Sequence, residues 1–144
     1  MRYTTSIKWG IHEVDARPFG QGFWGKRMPQ QNPRVNAYEL KINPYDESFY
    51  LPHPDGGYVQ FENLAKDILQ DGKLIMKPRS LYHVEDMPEF AKTQVLAEAR
   101  RQVAAAQRAG YNVEWLVSDN KAVEQLKRTF QQEGVAITVK HLPE

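Results

Sequence analysis

Polar and apolar positions along the chain follow one rhythm in the first half and another in the last third. Residues 6–14 alternate roughly apolar with polar, as a half-buried strand does, because successive strand side chains point to opposite faces. Residues 16–34 carry Pro18, Gly20, Gly22, Gly25, Pro29 and Pro33, and this composition predicts a long loop. Val35 to Ile42 predict a second strand. Residues 48–52 and 57–61 flank Pro52-His53-Pro54-Asp55-Gly56-Gly57, a turn signal that joins them into a hairpin. A further strand, Lys73 to Lys77, is expected after Asp71-Gly72.

From residue 86 onward the spacing becomes helical. Asp86-Met87-Pro88-Glu89 reads as a capping box, with Asp86 as N-cap, Glu89 three residues on and a proline in the first turn. A helix from there to about Ala109 is stopped by Gly110. Val113 to Val117 form a strand, and Ser118 or Asp119 caps a second helix with Val123, Leu126 and Phe130 on one face. Gly134 ends it, and Val135, Ile137 and Val139 give a final strand. Strand, helix, strand with short links favours a parallel pair. The expected architecture is therefore α/β, with N-terminal strands and a hairpin followed by α-β-α-β, in one domain over residues 1–144.

Composition narrows the chemistry. A chain of 144 residues with 41% hydrophobic and 26% charged positions suits one globular core. No run of 18 apolar residues provides a membrane-spanning helix. With no cysteine, disulfides, thiolate metal sites and a cysteine nucleophile are all excluded. The first residues lack the apolar core of a signal peptide, so the chain reads either as cytosolic or as a module of a longer exported protein. Net charge is only +1, against the excess expected of a nucleic-acid enzyme, but it is unevenly spread. Residues 1–46 carry seven Lys/Arg against four Asp/Glu, residues 47–90 four against eight, and residues 91–144 eight against six.

Within Tyr38-Glu39-Leu40-Lys41-Ile42, a strand would put Glu39 and Lys41 on one face. A carboxylate that holds a divalent cation beside an ammonium suits phosphodiester hydrolysis. Alone, such a triplet is common and usually solvated. A second carboxylate for the metal is available at Asp15, with His12 and Glu13 as nearby alternatives. On the long helix, Arg100-Arg101-Gln102 beside small alanines places Gln102 or an arginine toward a scissile phosphate, or else forms an exposed polar stripe. Lys26, Arg27 and Arg34 interleave with Phe19, Phe23 and Trp24, a mixture that stacks bases and binds backbone, or forms a loop's own small core. No two histidines have ligand spacing, which argues against zinc.

The combination of Y-E-L-K-I, the A-E-A-R-R-Q-V-A-A-A helix, the N-V-E-W-L-V strand and I-T-V-K-H-L-P resembles the restriction-endonuclease-fold toxin domains of bacterial polymorphic toxins, including contact-dependent growth-inhibition proteins. The resemblance implies a PD-(D/E)xK-type nuclease core that binds Mg²⁺ or a similar ion. Glu39 and Lys41 would be its E-x-K, Gln102 its helix glutamine and Asp15 its metal-binding aspartate, with Glu13 in reserve. It further implies DNA or RNA as substrate, with Lys26, Arg27, Arg34, Arg100 and Arg101 as nucleic-acid contacts. A cognate immunity protein, export within a larger cell-surface or secreted protein, and action in the cytoplasm of a target cell also belong to it. Two other readings stay open: a metal-independent transfer-RNA nuclease using His12 and Lys41, and a non-catalytic module whose aromatic loop and acidic hairpin bind a protein partner.

Overall fold

Tight turns organise the first part of the chain into an antiparallel meander. The computed structural model describes residues 5–9, 12–28, 30 and 32–144, with side chains from Ala16 onward. Strands β1 (Thr5–Trp9), β2 (His12–Phe19), β3 (Gly22–Lys26), β4 (Glu47–Pro52) and β5 (Tyr58–Phe61) pair in that order, each antiparallel to its neighbour. The expected hairpin at 48–61 is present. The expected loop at 16–34 is not: its glycines turn the chain at Gly20-Gln21 and admit β3, whose Phe23 stacks on Tyr50 with ring centroids 4.9 Å apart.

Val35 to Ile42 are helical, not extended. Helix α1 (Pro33–Ile42) starts where Asn32 accepts a hydrogen bond from Arg34 N–H and proline occupies the first turn. It ends at Asn43, which is extended because Pro44 follows.

The chain then enters a second sheet, in the order β6 (Asn63–Ala65), β7 (Ile68–Lys73), β8 (Asn112–Val117) and β9 (Ile137–His141). β6 and β7 form a hairpin, whereas β7, β8 and β9 run parallel. Helices α2 (Glu89–Ala109) and α3 (Asn120–Glu133) make the two crossovers. The strand expected at 73–77 lies earlier, since β7 closes at Lys73. The long helix starts two residues later than the capping-box reading: Pro88 stands at its N-cap without a side-chain bond, and Asp86 instead binds Gln125 and Lys121. The other end signals hold. Asp119 caps α3, and Gly110 and Gly134 end the two helices in the left-handed conformation that glycine tolerates.

Among the described residues the chain is thus mixed α/β, with two sheets and three helices. One core joins the sheets: Phe49, Leu51 and Phe61 of the first meet Leu69, Trp115 and Val117 of the second, with Val95, Leu126 and Phe130 from the helices. Burying each such side chain contributes roughly 1.5–3 kcal/mol. Helix α2 packs on both sheets, touching β4, β5 and β8. Helix α1 lies against the opposite face of β7, where a Cβ on Gly72 would come within 2.5 Å of Ile42 Cδ1. Glycine at 72 is what lets α1 approach. Among the described residues no helix is long and apolar enough to cross a membrane.

Candidate active site

Strand periodicity places Leu69, Asp71 and Lys73 on one face of β7, the face covered by α2, and all three are buried. The β6–β7 register pairs Asn63 with Gln70, so the next step of the ladder brings Glu62 opposite Asp71. Glu62 is held firmly: its side chain accepts from Gly72 N–H at 3.0 Å, and its carbonyl accepts from Asn43 Nδ2 and Arg27 Nη2. Glu39, buried on α1, forms a carboxyl–carboxyl contact with Glu62, and Glu62 does the same with Asp71. Three acids from a helix, a strand junction and a strand therefore converge on a cavity of about 370 Å³ where both sheets meet α1 and α2.

Lys73 is the cation among them. Its Nζ lies 2.9 Å from Asp71 Oδ2 and 2.7 Å from Glu98 Oε2, over the rings of Trp115 and Tyr82 at 4.5 and 5.0 Å. Gln102 on α2 donates to Asp71 Oδ2 and accepts the indole N–H of Trp115 at 2.7 Å. Its amide orientation is thereby fixed from both sides.

Acid–base behaviour follows from this crowding. Burial pushes Glu62 well above the usual carboxylate range, and the neighbouring Asp71 pushes it further. Burial likewise raises Glu39. Burial acts to raise Asp71 too, but Lys73, with help from Glu62 and Gln102, holds it below its ordinary value. Although burial opposes its charge, Lys73 stays protonated far into the alkaline range because Asp71, Tyr82 and Glu98 surround it. The Tyr82 hydroxyl is pushed up to about 12, chiefly by burial.

The donor set, all carboxylate oxygen, suits a hard divalent cation such as Mg²⁺. One observation tests the fit directly: Glu39 Oε1 is buried and, among the described residues, has no hydrogen-bond partner. A buried carboxylate oxygen left without a donor costs free energy that a cation would recover. Among the described residues the acids do not stand as a ready-made group of three metal-binding side chains. Asp71 Oδ2 is engaged by Lys73 and Gln102, and Glu62 Oε2 by a backbone N–H.

The residues singled out from sequence separate here. Glu39 and Gln102 are in the site. Lys41 is not beside Glu39, because two residues apart on a helix face different ways; it is exposed and donates to Pro143 O at 2.6 Å. The side chains of His12, Glu13 and Asp15 lie outside the described residues. Arg27 is buried, with Nη2 donating to the carbonyls of Asn43, Glu47 and Glu62. Arg34 pairs with Glu144, and Arg100 with Glu133. Lys26 is exposed at the edge of a separate cavity, while Arg101 stands at the mouth of the acidic one. Sequence reasoning missed Glu62, Asp71, Lys73, Glu98 and Tyr82. The available signal was Leu69-x-Asp71-x-Lys73 at strand period, obscured because Asp71-Gly72 reads as a turn.

No protein-family model, no curated protein and no solved structure matches the chain.

Proposed function

We propose that the chain is a divalent-metal-dependent nuclease, hydrolysing phosphodiester bonds at the Glu39, Glu62, Asp71, Lys73 and Gln102 cluster. The observation that carries this reading is the Asp71-x-Lys73 pair on β7, with Glu62 opposite it and the orphaned Glu39 oxygen above. In this reading the core is restriction-endonuclease-like. Glu62 with Asp71-x-Lys73 takes the place expected for Asp15 with Glu39-x-Lys41, and Gln102 keeps its place on the helix.

Glu39, Glu62 and Asp71 would hold the metal, with Glu62 giving up its proton to do so. Such an ion would supply Lewis-acid chemistry for phosphodiester hydrolysis. Gln102 fixes the Asp71 carboxylate. Lys73 holds a permanent positive charge toward the phosphate and orients the attacking water. Arg101 meets the substrate backbone at the cavity mouth. DNA and RNA are both in scope, and divalent Mg²⁺ is the metal of choice.

The resemblance supplies the biological setting: a toxin module exported within a larger protein, acting in the cytoplasm of a competitor cell and blocked by an immunity protein. Plasmid DNA and total RNA incubated with the pure protein test the chemistry. Cleavage in Mg²⁺, lost in EDTA and in Asp71→Asn, is the expected result; cleavage that survives EDTA sinks the reading. Growth arrest on cytoplasmic expression of the wild type, absent for Asp71→Asn, is expected of the toxin role.

A further inference from the structure

Lys73 is gripped from two sides. Asp71 Oδ2 holds its ammonium at 2.9 Å and Glu98 Oε2 at 2.7 Å. The other Glu98 oxygen accepts the Tyr82 hydroxyl at 3.0 Å, so this carboxylate is anchored at both ends. Glu98 and Gln102 sit one turn apart on α2 and therefore share a face, from which they hold Lys73 and Asp71 respectively. A cation entering the acid cluster needs the very carboxylate that Lys73 occupies.

We propose that Glu98 is a positioning residue that governs this competition: by drawing Lys73 into a second ion pair, it shares the ammonium that Asp71 would otherwise hold alone and so sets the affinity of the site for a divalent cation. The inference rests on the metal-site reading above and adds to it the residue that tunes the site. Among the described residues, Asp71 and Glu98 are the two carboxylates in ion-pair contact with Lys73. With Glu98 uncharged, Asp71 alone receives the ammonium, and Lys73 becomes a tethered competitor of the metal. The rings of Trp115 and Tyr82 keep it from leaving.

A plain field effect of one lost negative charge also weakens cation binding, but it does not depend on Lys73. The positional effect does, and a double-mutant cycle separates the two. Tb³⁺ is the probe, its luminescence sensitised by Trp115 at the site and its occupancy read by displacement with Mg²⁺. The whole chain is used as wild type, Glu98→Gln, Lys73→Met and the double variant, each checked for an unchanged circular dichroism spectrum. Glu98→Gln is expected to weaken Tb³⁺ binding about tenfold in the wild-type background and less than about twofold beside Lys73→Met. Equal losses in both backgrounds, or no loss in either, overturn the inference. If Glu98→Gln fails to fold, Tyr82→Phe frees one Glu98 oxygen and carries the test, with a loss of about threefold that again requires Lys73. Wild type that binds no Tb³⁺ removes the metal-site reading and this inference together. That outcome differs from one in which wild type and Glu98→Gln bind alike.

Discussion

Within the connection between β7 and α2, His83, Glu85 and Asp86 meet α3, and each acid there has its own partner. Arg128 makes two contacts to Glu85 at 2.7 and 2.8 Å, Lys121 and Gln125 both reach Asp86 at 3.1 Å, and Asp119 lies 2.8 Å from His83 Nε2. The candidate-site cluster crowds Glu39, Glu62 and Asp71 around one lysine that it shares with Glu98. All three acids of the first group are held below the ordinary carboxylate range, whereas in the second only Asp71, paired with Lys73, is, and Glu39 and Glu62 are raised. Hydrogen bonds from Arg128, Gln125 and the Ala122 N–H hold Glu85, Asp86 and Asp119 below the ordinary carboxylate range. Burial drives Glu39 and Glu62 above it. A balanced cluster holds the fold together, whereas perturbed buried acids gather at functional sites, which is the basis of the proposal made for this cluster.

The largest effect expected from this contrast is on activity. Asp71→Asn should lower phosphodiester cleavage by roughly a hundredfold or more, because it removes a ligand of the metal that would stabilise the developing charge. Asp86→Asn, in the balanced cluster, should leave it within about twofold. Comparable losses in both variants would erase the distinction.

A smaller effect is expected on stability, and it has opposite signs in the two clusters. Glu62→Gln removes an acid whose ionisation the fold disfavours. In metal-free buffer at neutral pH it should raise the melting temperature by about 2–4 °C, the shift that about 1 kcal/mol produces in a domain of this size. It should also abolish metal-dependent cleavage, the familiar exchange of stability for function. A melting temperature that falls instead would mean Glu62 is a structural anion.

The smallest effect belongs to Asp119→Ala, which removes the N-cap of α3 and the partner of His83. A loss of about 1 kcal/mol in urea unfolding is expected, with cleavage unchanged. Lost activity at full stability would tie this cluster to the site.

The sequence was most informative where local signals agree with tertiary structure. The body of the long helix, its Gly110 stop, the cap of α3 at Ser118 or Asp119 and the parallel β8–α3–β9 crossover were legible, because periodicity and punctuation coincide there. The N-terminal half was less so. Val35 to Ile42 contain enough alternation to imitate a strand, while Asn32-Pro33, the signal that starts the helix, was absorbed into a Gly/Pro-rich loop reading. Glu39 and Gln102 were found, the first for a reason that did not hold: its neighbour in chemistry is Glu62, not Lys41. Glu62 meets Asp71 only through the β6–β7 register, and Gly72 reads as a turn residue until α1 is seen packed against it. Such contacts are set by strand pairing and helix docking, which spacing along the chain does not encode.

The central claim, that the buried acids await a cation, is tested most directly by thermal unfolding across pH in EDTA and in excess Mg²⁺. Glu39 and Glu62 have folded-state values above the ordinary 4.5, so the folded state binds more protons than the unfolded chain in the window above that value. Their contribution is complete below it and is lost as pH rises through the raised values. In EDTA the melting temperature should therefore fall as pH rises above the ordinary carboxylate range, and Mg²⁺ should lift it by a margin that widens with pH. Superimposed curves at every pH would contradict the account.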